Sequence, residues 1–462
     1  MEKLENENEF KQACLDYHKG LVHGKYEVIP NKPMDGQKDL SLAYSPGVAY
    51  PCLEIEKDPS TSFYLTNRAN SVGLFTNGTS VLGYGDIGVL AAKPVMEGKV
   101  VIMKLLGDLD SLDIGVDTKD PDEFVNALAL LEPSFGAFNL EDIKGPECFY
   151  IEEELQKRVG IPVMHSGQHS SSCVITAALI NACEVNGKKL EDLKIAVSGA
   201  GASGISIAKL LPEFGVKQEH ILVCDSKGVI YKGREENMNK YKESIAVETE
   251  ARTLEQIVDG ADAFIGLSFA NLLTPEMLKT MAKDPIVFAL ANPTPEIDPA
   301  LARETREDII IATGRSDYPN QILDAMIFPF FFRGALDVGA KSFNLEMKKA
   351  AVQAVAKVAR MEVPQQVKDA YSNQDMEFGK DYILPTPFDH RLLMEVSFAV
   401  AKAAHDSGNT FKPFEDWDHY KEKLDKRVEE KRVYIEEQVE EAKLRYKNIY
   451  KQIRPDATEI TQ

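Results

Sequence analysis

Short apolar runs bounded by turn-forming residues punctuate this chain and predict its elements. Val72–Phe75 and Val100–Met103 are contiguous apolar runs of strand length and read as buried strands. Phe124 to Leu131 repeats its apolar positions at helical spacing and is closed by Pro133, so a helix is predicted there. Within the polar first 40 residues, Cys14 to His18 is expected as a short helix. The segment from His165 to Ser172 introduces a long apolar helix, Cys173 to Cys183. Beyond Leu193 the pattern becomes regular. Strands are predicted at Ile195–Val197, Ile221–Cys224, Ala263–Ile265, Ile286–Leu290 and Ile309–Ala312, with a helix at Ile205–Leu211. Apolar strands separated by helical stretches indicate a parallel sheet covered on both faces.

The reading is therefore α/β. A doubly wound, Rossmann-type domain (161–415) follows an α/β domain (1–160), and 416–462 form a charged C-terminal helix and tail. In that tail Leu424, Val428, Ile435, Val439, Ala442, Tyr446, Ile449 and Ile453 step by three, four and seven. They form one apolar stripe on a helix otherwise rich in Lys and Glu. The stripe docks either on its own domain or on another chain, and a homodimer is expected.

Charge and cysteines narrow the partners. The 462 residues carry a formal net charge of −20, which disfavours nucleic acid and anionic membranes. An anionic substrate then needs local cations or a metal. No run of about 18 apolar residues occurs, so no membrane span is expected. The first residues, Met1-Glu2-Lys3-Leu4-Glu5, are acidic and polar and do not resemble a signal peptide. Cys14, Cys52, Cys148, Cys173, Cys183 and Cys224 include no CxxC pair. Free thiols in the cytoplasm are expected rather than disulfides or a zinc site.

Gly199-Ala200-Gly201-Ala202-Ser203-Gly204 follows a predicted strand and opens a predicted helix. The first glycine permits the tight turn, the second lets backbone approach a pyrophosphate, and the third lets the helix pack on the sheet. The helix start offers unpaired N–H groups and a positive dipole end. Asp225 ends the next strand, where an acid can take a ribose hydroxyl. That acid favours NAD, since it repels a 2′-phosphate; Lys227, Lys232 and Arg234 just beyond it could serve NADP. Either cofactor remains open.

Three segments of the first half carry candidate chemistry. Tyr44, before the Pro46-Gly47 turn, could be held as a proton donor. Lys99, ahead of the apolar run at Val100, could be desolvated and its pKa lowered toward a useful base. Glu141 and Asp142 follow an apolar run and could bind a hard divalent cation. Taken singly, each is more often an ordinary half-buried or surface residue.

Together they carry a resemblance. "LAYSPGVAYPCLEIEKDP", "FTNGTSVLGYGDIG", "AAKPVMEGK", "EPSFGAFNLEDIKGPECFYIE", "CDSKGVIYKGR", "ALANPTPEI" and "TGRSDYPNQ…FPFFFRGALDVGA" are similar, in this order and spacing, to the small bacterial-type malic enzymes. The similarity runs from about residue 15 to 415. It implies oxidative decarboxylation of L-malate to pyruvate and CO2 with NAD or NADP, assisted by Mg2+ or Mn2+. It implies that Lys99 takes the substrate hydroxyl proton and Tyr44 protonates the enol carbon. By the same resemblance Glu141 and Asp142 are two of three metal-ligand carboxylates, and Asn292 lies near substrate and nicotinamide. Gly199 to Gly204 form the pyrophosphate loop.

Two departures from the family pattern fall at chemical positions. Where the family reads His-Asp-Asp-Gln-His-Gly-Thr, this chain reads His165-Ser166-Gly167-Gln168-His169-Ser170-Ser171, so Gly167 replaces the third metal ligand. After Asn320-Gln321, Leu323-Asp324 stand where the family has paired asparagines; Asn320 and Asp324 are expected to border the substrate. Three readings follow: a malic enzyme with a weakened metal site that Asp324 partly compensates, a reductase of 2-keto acids without metal-assisted decarboxylation, or a non-catalytic dinucleotide-binding relative. Retention of Tyr44, Lys99, Glu141 and Asp142 argues against the last.

Overall fold

The computed structural model describes residues 7–19, 24–411 and 413–430, together with 437, 440 and 444. Four short helices open the chain: α1 (Glu7–Lys19), α2 (Gln37–Ala43), α3 (Ala49–Lys57) and α4 (Ser62–Leu65). None of α2, α3 and α4 buries a residue. The chain then runs β1 (Ser71–Thr76), α5 (Val89–Gly107), β2 (Asp110–Gly115), α6 (Pro121–Ala129), β3 (Ala137–Leu140), α7 (Glu147–Arg158), β4 (Val163–His165) and α8 (Ser166–Asn186). Strands β1–β4 form a parallel sheet in the order β2-β1-β3-β4. Since β2 and β3 lie on opposite sides of β1, the chain reverses direction across the sheet there. In such sheets ligands bind beyond the carboxyl ends of the strands flanking that point.

The stretch Val100–Met103, expected as a strand, is the second half of α5. Its helix buries Ala92, Met96, Val100, Met103 and Gly107, steps of three and four residues that put them on one face. The β-branched run suggested a strand; burial on one side of a longer periodic segment overrides it. The helix predicted around Phe124 is α6, capped by Asp120, whose carboxylate accepts from the Asp122 and Glu123 N–H groups. The expected apolar helix starts earlier than Cys173. His165 caps α8 by accepting from the Gln168 N–H through Nδ1, so the His-Ser-Gly-Gln-His segment is the helix's first turn. The first sheet also runs on past residue 160, because β4 pairs with β3 and leads directly into α8.

The second sheet contains β5 (Ile195–Ser198), β6 (Ile221–Asp225), β7 (Gly228–Val229), β8 (Ala263–Gly266), β9 (Ile286–Ala289) and β10 (Ile310–Thr313), in the order β10-β9-β8-β5-β6-β7. Helix α9 (Ala202–Leu210) follows β5. Only the two-residue β7 is antiparallel. Strands β6 and β8 flank β5, which gives a second reversal point beside the glycine loop. Alternate residues of these strands serve two cores. Ile195, Val197 and Phe288 join a cluster that reaches Val72 and Phe138 of the first sheet, while Ala196, Phe264 and Val287 pack on the other face.

The helix Phe328–Asp337 returns to the first sheet. Gly107 of α5 fits against it, since an added Cβ would lie 2.9 Å from the Pro329 carbonyl oxygen. Arg333, 3% exposed, donates to Asn70 Oδ1 and to the Asp108 carbonyl. Residues 417–430 are helical and dock on the same body. Leu424 is buried, Tyr420 donates to Asp337 and Arg427 to Asp108. The apolar stripe thus begins on its own chain. From Ile435 to Ile453 its residues lie outside the described residues.

Candidate active site

The first reversal point collects the acidic residues. Glu141 and Asp142 leave β3 beside β1, with the Glu141 N–H on the Phe75 carbonyl at 2.8 Å and the Ser80 N–H on the Asp142 carbonyl at 2.9 Å. Lys99, on α5, places Nζ 3.2 Å from Glu141 Oε2, and Nζ also donates to Asp324. The ammonium lies over the Phe328 ring, 4.5 Å from its centroid. Asp324 opens the short 3-10 turn Asp324–Met326, just before the Phe328 helix. Residues far apart in sequence therefore form one polar group of Lys99, Glu141, Asp142 and Asp324, in which Glu141 is buried and the other three are half-buried.

Its electrostatics correct one expectation. Burial does act to lower the Lys99 pKa, but Asp324 and Glu141 outweigh it, and the pKa is raised above the usual lysine value. The resting lysine is an ammonium. The Glu141 carboxyl is pushed up by burial, against the pull of Lys99. Asp142 is pushed up to about 8 by burial and by Glu141. Asp142 Oδ2 is buried without a hydrogen-bond partner. Two adjacent carboxylates, one with a buried, unpartnered oxygen, have the oxygen chemistry that suits a hard divalent cation. Gly167 contributes no side chain, and its carbonyl already accepts from Ser203 Oγ at 2.6 Å. Among the described residues no three His, Cys, Asp or Glu side chains converge as a metal site.

The second reversal point holds the glycine loop. Gly199 has φ +114° and its N–H bonds the Cys224 carbonyl at 2.8 Å. A Cβ on Gly204 would sit 1.9 Å from the Gly199 carbonyl oxygen, so the turn admits only glycine there. Ala200 to Ser203 carry the chain into α9, and the space beside Gly201 is open. The two reversal points adjoin. Ser203 bonds Gly167 as above, and a Cβ on Gly145, three residues beyond Asp142, would meet Ala202 N at 3.6 Å. Gly83, from the loop after β1, approaches so closely that a Cβ would lie 2.0 Å from the Asn292 carbonyl oxygen. Asn292 follows β9 and its amide donates to the Gly314 carbonyl.

Asp225 is spoken for. Arg234 Nη2 donates to both of its oxygens at 2.7 and 2.9 Å, and Lys242 Nζ donates at 2.7 Å. Asn237 and the Lys227 N–H complete the shell. Asn320 is likewise committed: its amide bonds the carbonyls of Ile311 and Lys380 and the N–H of Ile383. It ties the loop after β10 to the chain near 380, and no amide group is left over for a substrate. Tyr44 caps α2 and is 68% exposed; its hydroxyl has no hydrogen bond among the described residues.

Comparison with known proteins decides the family. Residues 23–156 match the malic enzyme N-terminal domain and residues 169–371 the malic enzyme NAD binding domain. An NADP-dependent malic enzyme of Halomonas elongata is 49% identical over 87% of this chain and 96% of its own length. This chain belongs to the malic enzyme family. A malic enzyme structure from Pyrococcus horikoshii covers 95% of this chain and all of that one, with 33% identity and a TM-score of 0.84. An NADP-dependent malic enzyme of Salmonella typhimurium is 54% identical over 90% of this chain, but only 55% of its own length is matched. The chain thus spans about half the length of several curated relatives.

Within this malic enzyme fold, residues of the same motifs to which the sequence assigned no role hold the acids in place. Asn139 Nδ2 donates to Glu141 Oε2 at 3.3 Å, and Ser166 Oγ donates to Asn139 Oδ1 at 2.6 Å. Asn139 is fully buried in β3. The one signal for it was a polar residue in an otherwise apolar strand. Glu296, also fully buried, accepts the N–H groups of Ser268 and Ala291 and joins the loops after β8 and β9.

Proposed function

We propose that this chain oxidises and decarboxylates L-malate to pyruvate and CO2 with NADP or NAD. The observation that carries the proposal is the Lys99 ammonium, held between Glu141 and Asp324 at one reversal point while the glycine loop of the other lies across Gly145 and Gly167. Malate then has a proton-exchanging group and a hydride acceptor within one cleft. Glu141 and Asp142 would hold Mg2+ or Mn2+, which supplies Lewis-acid stabilisation of an enolate. Two carboxylates, with waters and substrate oxygens, suffice for Mg2+. Lys99 accepts the substrate hydroxyl proton at Nζ after releasing its own, and Asp324, already in contact, is the adjacent acceptor. Asn139 and Ser166 fix the rotamer of Glu141. Asn292 lines the nicotinamide side.

The charge of Asp225 is consumed by Arg234 and Lys242, which removes the repulsion that would exclude a 2′-phosphate. NADP is therefore accepted as well as NAD. The loss of a side chain at Gly167 favours one second reading, a 2-keto acid reductase that does not decarboxylate. As approximate functional units we propose 1–160 and 161–415, with β4 carrying the first sheet a few residues past that limit.

We infer a homodimer from the first helices. Leu40, Leu42, Tyr44, Tyr50, Leu53 and Tyr64 are all exposed on α2, α3 and α4 or beside them. Large apolar side chains left exposed in this number on consecutive helices are what an association surface covers. A second copy covering it would bring Tyr44 into a closed environment, where it could donate the final proton. Among the described residues no helix is long and apolar enough to cross a membrane, and the cysteines are free thiols. Both support a cytoplasmic placement. Purified protein given malate, Mn2+ and either nucleotide tests the reading. Reduced nicotinamide with equimolar pyruvate supports it; reduction of a 2-keto acid without CO2 release supports the reductase; neither reaction overturns both.

A further inference from the structure

A cavity of about 370 Å3 lies among α7, α8, α9 and the start of the helix Leu345–Arg360. It shares no lining residue with the acidic group around Lys99. Its charges are unevenly satisfied. Glu152 is buried, and its carboxylate accepts from His169 Nε2 at 2.9 and 3.0 Å and from the His165 N–H at 3.0 Å. Two other acids on the wall are paired, Glu153 with Lys240 at 3.2 Å and Glu213 with Lys349 at 3.0 Å. Lys209 and Lys348, which also line the cavity, have no ion-pair partner among the described residues. Gln168 is 3% exposed and lines the same space, and its Nε2 has no hydrogen-bond partner. An amide donor buried without a partner is costly to desolvate. Lys209, which lies over the Tyr241 ring at 5.6 Å, and Lys348 make no salt bridge among the described residues, and with the Gln168 side chain they are donors at a wall whose acids are already paired. They favour an acceptor-rich anion, and the cavity is in the size range of small-ligand sites.

We propose that this cavity is a second binding site, for a small multivalent anion bearing phosphate or carboxylate groups, held by Lys209, Lys348 and the Gln168 amide. Its place in the fold makes it regulatory. Gln168 is in the first turn of α8, next to Gly167, and its backbone N–H makes the cap onto His165. Lys209 is at the other end of α9 from the glycine loop. The starts of both helices are tied by the Ser203–Gly167 bond. An anion that bridges Gln168 and Lys209 therefore links the first turn of α8 to the far end of α9, the helix whose start borders the dinucleotide, and it changes affinity there. This last step rests on the active-site reading above; the binding itself does not.

The test uses the full chain with inorganic phosphate and citrate as probes, by calorimetry, in the absence and presence of saturating NADP. Nucleotide occupies the glycine loop, so binding that persists with NADP present is not binding of phosphate at that loop. Saturable binding under those conditions by at least one probe is expected. Phosphate alone or citrate alone identifies the group that is read. Lys209→Met and Lys348→Met should each weaken binding at least about tenfold, the loss of one charge-assisted contact, and Lys348→Arg should restore most of it. Melting curves check that the variants are folded. Absence of saturable binding with NADP present, or equal affinity in the Lys209→Met/Lys348→Met double variant, overturns the proposal. Binding without any change in nucleotide affinity overturns the regulatory part alone.

Discussion

Replacing Asp225 by Asn separates a structural acid from a ribose-binding one. The side chains of Asp225, Arg234 and Lys242 are 7%, 4% and 9% exposed, and both cations approach the carboxylate to 2.7 Å. At an effective dielectric of about 20, each contact is worth on the order of 6 kcal/mol before desolvation is subtracted. Desolvation takes back most of this, and removing one partner of a buried pair costs about 3–5 kcal/mol because the other charge stays buried. Asn keeps the shape and one acceptor, so the lower end applies. At about 2–4 °C per kcal/mol for a domain of this size, the nucleotide-binding half should melt roughly 6–12 °C lower. The Asp225 pKa is depressed by Lys242 and Arg234, against burial. Its stabilisation is therefore present above the unfolded carboxylate pKa and fades as pH falls through the folded value, so wild type and variant should converge in acid. Scanning calorimetry at neutral and acid pH reads both effects, and steady-state KM for NAD and NADP reads the ribose. A variant that melts like wild type but loses NAD affinity selectively would falsify the clamp and return Asp225 to a free ribose acceptor.

Other outcomes follow from the same contacts. Lys99→Ala should lower turnover roughly 10²–10⁴-fold while nucleotide affinity is kept; near-normal turnover removes Lys99 from the mechanism. Gly167→Asp places a third carboxylate in the first turn of α8, where negative charge is favoured, though its Cβ would lie 3.0 Å from His165 Cε1. It should lower the Mn2+ concentration needed for half-maximal thermal stabilisation, and an unchanged requirement means that Gly167 does not border the cation. Cys14 and Cys52 are exposed and the other four thiols buried. A thiol reagent at pH 8 should therefore label two residues quickly and four only after unfolding. Burial raises Cys173 and Cys183 to about 12. Their contribution to stability is complete below the unfolded thiol pKa of about 8.5 and is lost as pH rises toward 12. Urea midpoints should fall across that window.

The sequence disclosed the second sheet more fully than the first, for a physical reason. Strands β5, β6, β8, β9 and β10 are buried on both faces and appear as unbroken apolar runs. By contrast β2 is Asp110-Ser111-Leu112-Asp113-Ile114-Gly115, an edge strand with two acids and no apolar run to see. β4 has three residues. Val100–Met103 misled because a β-branched run looks alike in a buried strand and on a buried helix face. At the site, identity was legible but engagement was not. Glu141, Asp142 and Lys99 stood in motifs, and Asp324 stood out as a departure. That Asp324 reaches Lys99, that Asp225 is saturated, and that Asn320 spends its amide on backbone are facts of long-range contact. Nothing local in the chain encodes them.

The Phe328–Asp337 helix has a consequence for synthesis. It packs on α5, and Arg333 grips Asn70 and the Asp108 carbonyl, yet it is made only after the entire nucleotide-binding sheet. When the ribosome has released β1 to β4, α5 still lacks the surface that covers Gly107, and Lys99 lacks both Phe328 and Asp324. The first sheet therefore waits, with an apolar flank open, while some 160 further residues emerge. Until then that flank is exposed in the nascent chain, the condition that favours aggregation, and a cut near residue 160 yields a fragment that also lacks the covering helix.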